Sequence, residues 1–481
     1  MTDRPVTSAS GTVQAPAIPA RLEPDAIGVG QDTVIGVSNS APAATMALVL
    51  AGLVAASAYG TVLPIIGCVA VMLVIANCYR RLNLWNANCG ASFEWVGRVI
   101  NPYLGFMTGW LMIAANLVGS IAAAVVLAPS VLAIFGASAT STWPNIFIAT
   151  AVIVIMVIIA VVGIRPTAAV QVGLAVIEYT ILVGFSIAGL AAVLGHRHGT
   201  FPITHAWFTF SGIGGKGSFT AGLLIAVFLF AGWDGTIYVN EEVKHRRVNP
   251  GRAAVFAVAI LAVIYLLAQV GLQGVVSPER LQANSSSALV YVAQALGGSG
   301  WSKVMALGLA LSVSSSVGLG IVVLSRITYG MAGRRVLPQV LGLVSPRFST
   351  PAIGTIVIGL ITIAATWAYL LSNGVANLFT QLINVTGLLF AGYYILTALT
   401  VIVYFRRRVL SSAWDALIAG LLPLAASAFL VWIVVRSLQA EPWSQRWSVI
   451  GIVGAGLLLM LVARFAMRSS YFQIPRESAS K

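Results

Sequence analysis

Apolar segments long enough to cross a lipid bilayer follow one another along almost the whole 481-residue chain. A membrane-spanning helix needs about 20 apolar residues. We count twelve such spans, at 33–56, 62–78, 104–135, 146–163, 170–194, 219–239, 253–275, 303–327, 353–371, 378–404, 414–435 and 449–465. Because backbone groups exposed to hydrocarbon have no water to bond, such segments must form helices. We therefore expect an all-α polytopic membrane protein with twelve transmembrane helices.

The composition argues against a soluble or nucleic-acid-binding protein. Only 8% of the residues are charged, whereas a soluble domain carries about 25%. The formal net charge of +14 does not indicate nucleic-acid binding, because the basic residues lie between the spans and form no compact polar face. The expected partners are the lipid bilayer and a small-molecule substrate, and the sequence leaves the oligomeric state open.

The chain is not expected to be an enzyme. It contains no nucleophile elbow, phosphate-binding loop or deaminase spacing, and no loop is long enough for a catalytic domain. The three cysteines and the group His196, His198 and His205 lack the spacing of a metal-ligand set. We expect no cofactor and no metal site, apart from a proton or sodium ion used for coupling.

The distribution of basic residues predicts the orientation. With the N-terminus inside, 21 of the 27 lysines and arginines fall on the inner side of the membrane, as the positive-inside rule requires. We therefore expect a plasma-membrane protein with both termini in the cytoplasm. Residues 1–31, which are rich in Ser, Thr, Pro and Ala, are predicted to be a disordered cytoplasmic tail, and residues 469–481 a second cytoplasmic tail.

Two groups of five spans predict an inverted repeat, because an odd number of spans in each half reverses its topology. The first repeat would cover residues 32–195 and the second 218–405, and spans 11 and 12 (412–468) would be additions. Interrupted helices at corresponding positions of the two halves indicate a binding site near the membrane midplane. The sixth and first spans are both interrupted in this sequence.

The interruption in the sixth span lies in AGLLIAVFLFAGWDGTIYVNEEV, residues 221–243. An ionisable residue at membrane depth, here Asp234, is costly and is a functional-site hypothesis by default. The adjacent Gly232 and Gly235 favour a break at 231–235, which hydrocarbon tolerates only where the break is packed in protein or lines a cavity. Asp234 would meet a cationic group of the substrate or titrate during transport; alternatively, it caps the second half of the helix or pairs within the bundle.

The interruption in the first span lies in VIGVSNSAPAATMALVL, residues 34–50. Gly36, a polar run and Pro42 disfavour a continuous helix, since proline removes a backbone hydrogen bond. Freed N–H groups at the start of a half-helix attract an anion such as a substrate carboxylate. The candidates for this contact are Ser38, Asn39, Ser40 and Ala41. Alternatively, their side chains merely satisfy the broken backbone.

Other polar residues within the spans are candidates for ion coupling. Glu178 is the only carboxylate deep in the fifth span, and a carboxyl group in that position can carry a proton through a conformational cycle; the alternative is a structural carboxyl. Ser315 and Ser316 in the eighth span could bind Na⁺, although small residues there also allow close helix packing.

Candidates for gating flank the interruption in the sixth span. Phe228 and Trp233 could close over a bound solute, although aromatic residues are also common on lipid-facing helices. Glu241 and Glu242 precede the basic run 244–247 at the predicted inner end. They either form an inner gate of ion pairs or are solvated loop charges.

Three segments in this order resemble the amino acid–polyamine–organocation superfamily of permeases. FAGWDGTIYVNEEVKHRRVNPGRA (230–253) resembles its sixth-span signature, in which an acidic residue leads to a Glu-Glu pair and an Asn-Pro-x-Arg loop. SRITYGMAGRRVLPQVLG (325–342) is similar to the segment after its eighth span, and NANCGASFEWVGRVINPYLGFMTGW (86–110) to its inner amphipathic segment. The matches touch spans 1–10.

The resemblance implies the leucine-transporter fold, with five-plus-five inverted repeats and alternating access. It implies an amino acid or amine held between spans 1 and 6. Phe228 matches the gating aromatic of the arginine/agmatine and putrescine members, and Asp234 matches their acidic position six residues later. Two positions depart from the family pattern. Glu178 lies where some proton-coupled members carry a lysine, and in span 1 the run Ser-Asn-Ser-Ala-Pro replaces the common Gly-Ser-Gly run.

Residues and resemblance together predict a secondary active transporter of an amino acid or related amine, coupled to protons through Glu178. Span-1 amides would hold a carboxylate, and the carbonyl groups of Phe230, Ala231 and Gly232 would receive the amino group. Three alternatives stay open: a polyamine or cationic amino acid exchanger that depends on Asp234, a sodium-coupled symporter that uses Ser315 or Ser316, and a membrane sensor that binds ligand without transporting it.

Overall fold

A computed structural model of the chain describes residues 21–137, 141–214, 216–373, 379–440 and 443–477. These ranges contain helices and no β-strand beyond one isolated parallel bridge between Ile27 and Val243. Twelve of the described helical segments are long and apolar enough to cross a membrane. The prediction of an all-α polytopic protein with twelve transmembrane helices is therefore confirmed.

Span 1 consists of α1 (Val29–Asn39) and α2 (Pro42–Ser57), and span 2 is α3 (Val62–Trp85). A short amphipathic helix, α4 (Ser92–Val99), follows. Spans 3, 4 and 5 are α5 (Pro102–Ile134), α6 (Thr142–Val162) and α7 (Ile164–Leu194). The sixth span consists of α8 (Lys216–Ala226), a 3₁₀ turn (Val227–Phe230) and α9 (Gly235–Tyr238). Spans 1 and 6 are thus the two interrupted helices that the sequence predicts.

Spans 7–10 are α10 (Asn249–Leu272), α12 (Ala288–Gly333), which follows the short α11 (Pro278–Ala283), α13 (Ala352–Asn373) and α14 (Phe379–Tyr404). A short helix, α15 (Arg406–Val409), follows span 10. Span 11 combines α16 (Ala413–Asp415), a π-helical turn (Ala416–Leu421) and α17 (Leu422–Ala440). Span 12 is α18 (Trp443–Leu461). Helix α12 is longer than the predicted span at 303–327, because two helices join across a kink at Gly297 and Gly298.

Small residues bring the central helices close together. Helix α5 packs along α12 and α14, and α10 packs along α3 and α7. A Cβ atom at Gly271 of α10 would collide with the carbonyl oxygen of Ser186 of α7, so these two helices pack at a distance that only glycine allows at this position. Without a hydrophobic driving force between helices in lipid, such close backbone contact is a main source of association.

The predicted disordered tail is too long at its C-terminal end. Ile27 is fully buried, and the N–H groups of Ala26 and Ile27 donate to the carbonyl oxygen of Glu242 over 2.8 and 3.2 Å. The loop after span 6 thus orders the segment before α1, and the helix begins at Val29, where the Gln31 side chain accepts the N–H of Gly28. Residues 1–20 of the predicted tail, and 478–481 of the second one, lie outside the described residues.

Candidate functional site

The first span breaks at Ser40 and Ala41. Helix α1 ends at Asn39, Ala41 has φ +47° and ψ +65°, and Pro42 opens α2. Proline lacks an N–H group and disfavours the helical conformation in the residue before it, which explains the position of the break. Gly36, by contrast, stays within α1, where a Cβ atom would lie 2.7 Å from the carbonyl oxygen of Trp233.

The sixth span breaks at 231–234, next to the break in the first span. Gly232 has φ +98°, and a Cβ atom there would lie 2.9 Å from the carbonyl oxygen of Asn39. The side chain of Asn39 donates from Nδ2 to the carbonyl oxygen of Gly232 over 2.8 Å. The two breaks predicted from the sequence are therefore in direct contact.

A cavity of about 80 Å³ lies beside the two breaks. Its volume is enough for about six water molecules, the scale of a small organic solute. Its lining is mostly apolar and rich in small side chains, with seven uncharged polar residues and two phenylalanines among its members. The lining consists of Asn39, Ser40, Ala41, Ala44, Thr45, Leu48, Ala115, Asn116, Gly119, Ser120, Ala122, Ala123, Val126, Phe228, Ala231, Gly232, Val313, Ser316, Gly320, Thr386 and Phe390.

Six of the ten residues predicted to bind substrate line this cavity, namely Asn39, Ser40, Ala41, Phe228, Ala231 and Gly232. Four others do not. Ser38 is fully buried and its hydroxyl lies 2.8 Å from the Tyr179 hydroxyl. Phe230 packs edge-to-face on Tyr265, away from the cavity.

Trp233 and Asp234 are the remaining two, and both belong to a buried aromatic cluster. Trp233 stacks on Tyr394 with ring centroids 5.4 Å apart. The Asp234 carboxylate accepts hydrogen bonds from Tyr393 (2.8 Å), Tyr394 (2.9 Å) and Tyr238. Asp234 is fully buried and its side chain makes no capping bond to α9. Of the sequence alternatives, pairing within the bundle describes its observed contacts.

The start of α2 is occupied by protein groups. The N–H of Ala43 donates to Glu178 Oε1 over 3.0 Å, and the N–H of Ala44 donates to the Ser312 hydroxyl over 3.3 Å. The N–H groups of Ser40 and Ala41 bond to carbonyl oxygens within α1. The sequence analysis expected freed N–H groups here to hold a substrate carboxylate, whereas these four donors all have protein partners, one of which is the Glu178 carboxylate.

Glu178 connects α7 to the break in the first span. It is fully buried, one carboxyl oxygen accepts the Ala43 N–H, and Oε2 has no hydrogen-bond partner within the described residues. The carboxylate also lies at the N-terminal end of α2, where the helix dipole favours a negative charge. Its charge state and the position of α2 are therefore physically linked.

The two serines proposed for sodium have different surroundings. The Ser315 hydroxyl bonds to the Gln171 side chain. The Ser316 hydroxyl lines the cavity and donates to the carbonyl oxygen of Asn39 over 3.3 Å. Over the residues that the structure describes, there is no group of three or more His, Cys, Asp and Glu side chains that could hold a metal ion.

Glu241 and Glu242 are not solvated loop charges. Glu242 and Arg326 of α12 are both fully buried and form two hydrogen bonds of 3.0 Å. Glu241 accepts the N–H of Cys89 over 3.1 Å, and burial raises its pKa above the usual value of 4.5. These contacts join the end of span 6 to α12 and to the segment before α4, as an inner gate requires.

Several residues of the site were not found from the sequence. Asn116 and Ser120 of α5 and Phe390 of α14 line the cavity, and Asn116 and Ser120 could have been noticed as a polar pair one helical turn apart in an apolar span. Outside the cavity lining, sequence reasoning also missed Asp32 of α1, which is fully buried and whose carboxyl oxygens have no partner in the described ranges. The tyrosines around Asp234 carry no comparable local signal.

Comparison with known proteins places these features in context. The profile of the family described as amino acid permease matches residues 31–469. The vacuolar cationic amino acid transporter 4 of Arabidopsis thaliana is 25% identical over 363 residues, 71% of this chain and 57% of that protein. The large neutral amino acids transporter small subunit 2 of Rattus norvegicus is 26% identical over 234 residues, 49% of this chain and 40% of that protein. The chain thus spans less than two thirds of the length of these relatives.

Among solved structures, MhsT in complex with L-phenylalanine superimposes with a TM-score of 0.60. The match has 14% sequence identity and covers 86% of this chain and 99% of that chain. At this identity the likeness shows the fold alone. It confirms the predicted leucine-transporter-like fold class, whereas the residue boundaries of the two repeats stay a prediction.

Proposed function

The chain belongs to the amino acid permease family, and from this premise we propose that it moves an amino acid or related amine across the plasma membrane by alternating access. The proposal further assigns it proton coupling, with both termini in the cytoplasm. The chain is a multi-pass membrane protein, and its family is one of transporters rather than enzymes.

The observation that carries this proposal is the cavity between two interrupted helices that contact each other through Asn39 and Gly232. In transporters of this architecture, substrates bind near the membrane midplane at such breaks. Irregular backbone at membrane depth is tolerated where it lines a cavity. The cavity is therefore the proposed substrate site, and Phe228 in its wall is the proposed outer gate.

Alternating access requires that the inner side separate in another state of the cycle. Two buried sets of contacts would hold it closed here: the Glu242–Arg326 ion pair and the Asp234 carboxylate with its three tyrosines. Breaking a buried ion pair is costly unless both groups gain water or new partners. We propose that both sets separate together when the inner path opens, so that Asp234 acts in the inner gate and does not contact the substrate.

Glu178 is the proposed proton carrier because of its contact with the start of α2. The charged carboxylate is a stronger hydrogen-bond acceptor than the protonated acid, and it is favoured by the positive end of the helix dipole. Protonation would weaken the link between α7 and α2 and allow the first span to move. Coupling arises if proton and substrate each change the equilibrium between the two states.

Sodium coupling is the second candidate, and the contact between the Ser316 hydroxyl and the Asn39 carbonyl oxygen favours it. Hydroxyl and carbonyl oxygens are ligands of hard cations. A cationic amino acid exchanger dependent on Asp234 has less support, because within the described residues that carboxylate accepts hydrogen bonds from three tyrosines outside the cavity.

The test is uptake of a labelled panel of amino acids and amines by the purified protein in liposomes, with and without an inward proton gradient. We expect the gradient to stimulate uptake, and replacement of sodium to leave it unchanged. Sodium-dependent uptake would move the coupling role to Ser315 and Ser316. Binding of panel members without any uptake would favour a sensor and contradict the transporter proposal.

A further inference from the structure

The described lining of the cavity contains no charged side chain. Its polar groups are amides and hydroxyls, contributed by Asn39, Ser40, Thr45, Asn116, Ser120, Ser316 and Thr386. The buried carboxylates Asp234 and Glu178, which are packed against the two breaks, do not line it. Asp234 is held by three phenols, and Glu178 faces the start of α2 from α7.

Such a cavity discriminates by net charge. Moving an ammonium or guanidinium group out of water is unfavourable unless an opposite charge or strong hydrogen bonds compensate it. The lining offers no carboxylate for that purpose. A cationic side chain or a polyamine would therefore enter the cavity with at least one uncompensated charge.

A zwitterion is treated differently, because its two charges compensate each other and each can meet a helix end. Ala41, Ala44 and Thr45 at the start of α2 line the cavity, as do Asn39 at the end of α1 and Ala231 directly after the 3₁₀ turn. Helix N-termini carry partial positive charge and C-termini partial negative charge. Because Glu178 already bonds to the Ala43 N–H at the start of α2, the two charges of the zwitterion would also rely on the amide and hydroxyl groups of the lining.

From this geometry we propose that the transported substrate has no net charge. The cavity takes the zwitterion of an amino acid with an uncharged side chain, and rejects cationic amino acids and polyamines. This inference rests on the proposed function, since it assumes that the cavity is the substrate site.

Asn116 is the residue that best tests the role of charge in the lining. It is 5% exposed, its side chain lines the cavity, and Nδ2 donates to the carbonyl oxygen of Met112 one turn earlier. Asn116→Asp adds a negative charge with almost no change in volume. In the cavity this charge supplies the counter-ion that cationic substrates lack, so Asn116 is assigned as a specificity-determining residue.

The first experiment measures competition by unlabelled compounds against the best labelled substrate of the wild-type protein in liposomes. We expect neutral amino acids to compete, and lysine, arginine and putrescine to be at least roughly 100-fold weaker. Cationic compounds that compete within about tenfold of the best neutral one would overturn the inference and leave the transporter proposal intact. Absence of uptake and binding for the whole panel would instead overturn both.

The second experiment compares Asn116→Asp with Asn284→Asp. Asn284 follows α11, is partly exposed, and donates from Nδ2 to a carbonyl oxygen four residues earlier, as Asn116 does, so this control adds the same charge outside the cavity. We expect Asn116→Asp to improve competition by lysine or putrescine relative to neutral amino acids by at least about tenfold, and the control to leave the ratio unchanged. An unchanged ratio in a folded Asn116→Asp protein, judged by its size-exclusion profile, would overturn the role of the uncharged lining.

Discussion

Asn39 donates a hydrogen bond of 2.8 Å from its side chain to the carbonyl oxygen of Gly232, 193 residues later in the chain. This bond joins the interruption of the first span to that of the sixth. A backbone carbonyl freed by a helix break is costly in a membrane unless it finds a partner. The two breaks therefore stabilise each other in this state.

Gly232→Ala should disturb this contact. Gly232 has φ +98°, and an added Cβ would lie 2.9 Å from the Asn39 carbonyl oxygen. An L-residue in such a conformation costs about 1–3 kcal/mol. We expect a lower midpoint of thermal unfolding in detergent and reduced uptake. Gly454→Ala is the matched control, because a Cβ there meets nothing within 4 Å; equal behaviour of the two variants would show that the break tolerates a side chain.

The breaks could be predicted from the sequence because their causes are local. Pro42 and Gly232 impose them by backbone chemistry alone. The outward or inward direction of each side chain at the breaks could not be predicted in the same way. Asp234 is turned out of the cavity by Tyr393, which lies 159 residues away in the chain and on a different helix. Likewise, the N–H group of Ala43 at the start of α2 is occupied by Glu178, which lies 135 residues away in the chain.

Glu242→Gln should open the inner side of the protein. The change leaves the buried Arg326 without its counter-ion, which costs about 3–5 kcal/mol in buried pairs. Cys89 gives the measurement, because it is fully buried beside Glu241 and burial raises the pKa of its thiol. We expect alkylation of Cys89, followed by mass spectrometry, to be at least about tenfold faster in the variant.

The control for this experiment is Glu279→Gln, which removes the same charge from an exposed position in α11. It should leave Cys89 alkylation at the wild-type rate. If Glu242→Gln also leaves the rate unchanged while the protein stays folded, the ion pair does not hold the inner side closed.

Asp234→Asn separates a gating role from a substrate-binding role. The variant loses the negative charge that three tyrosines stabilise, and hydrogen bonds to a charged group contribute about 1.5–3 kcal/mol each. Because Asp234 lies outside the cavity lining, we expect the maximal transport rate to change and substrate affinity to stay within about threefold of wild type. Tyr393→Phe should change the rate in the same direction. A large loss of affinity at an unchanged rate would return Asp234 to the substrate site.

Glu178→Gln should remove the response to protons but retain exchange. A glutamine oxygen can still accept the Ala43 N–H that now bonds to Glu178 Oε1, so the packing between α7 and α2 is preserved. The amide cannot take up a proton, and the contribution of the proton to the conformational equilibrium disappears. We expect counterflow of labelled against unlabelled substrate to continue, while net uptake driven by a proton gradient stops. Loss of both activities in a folded variant would mean that Glu178 is needed to hold the break, and it would leave the proposed proton role unsupported. Gradient-driven uptake at the wild-type rate would exclude that role, because the substitution removes the proton-binding group and keeps the hydrogen-bond acceptor.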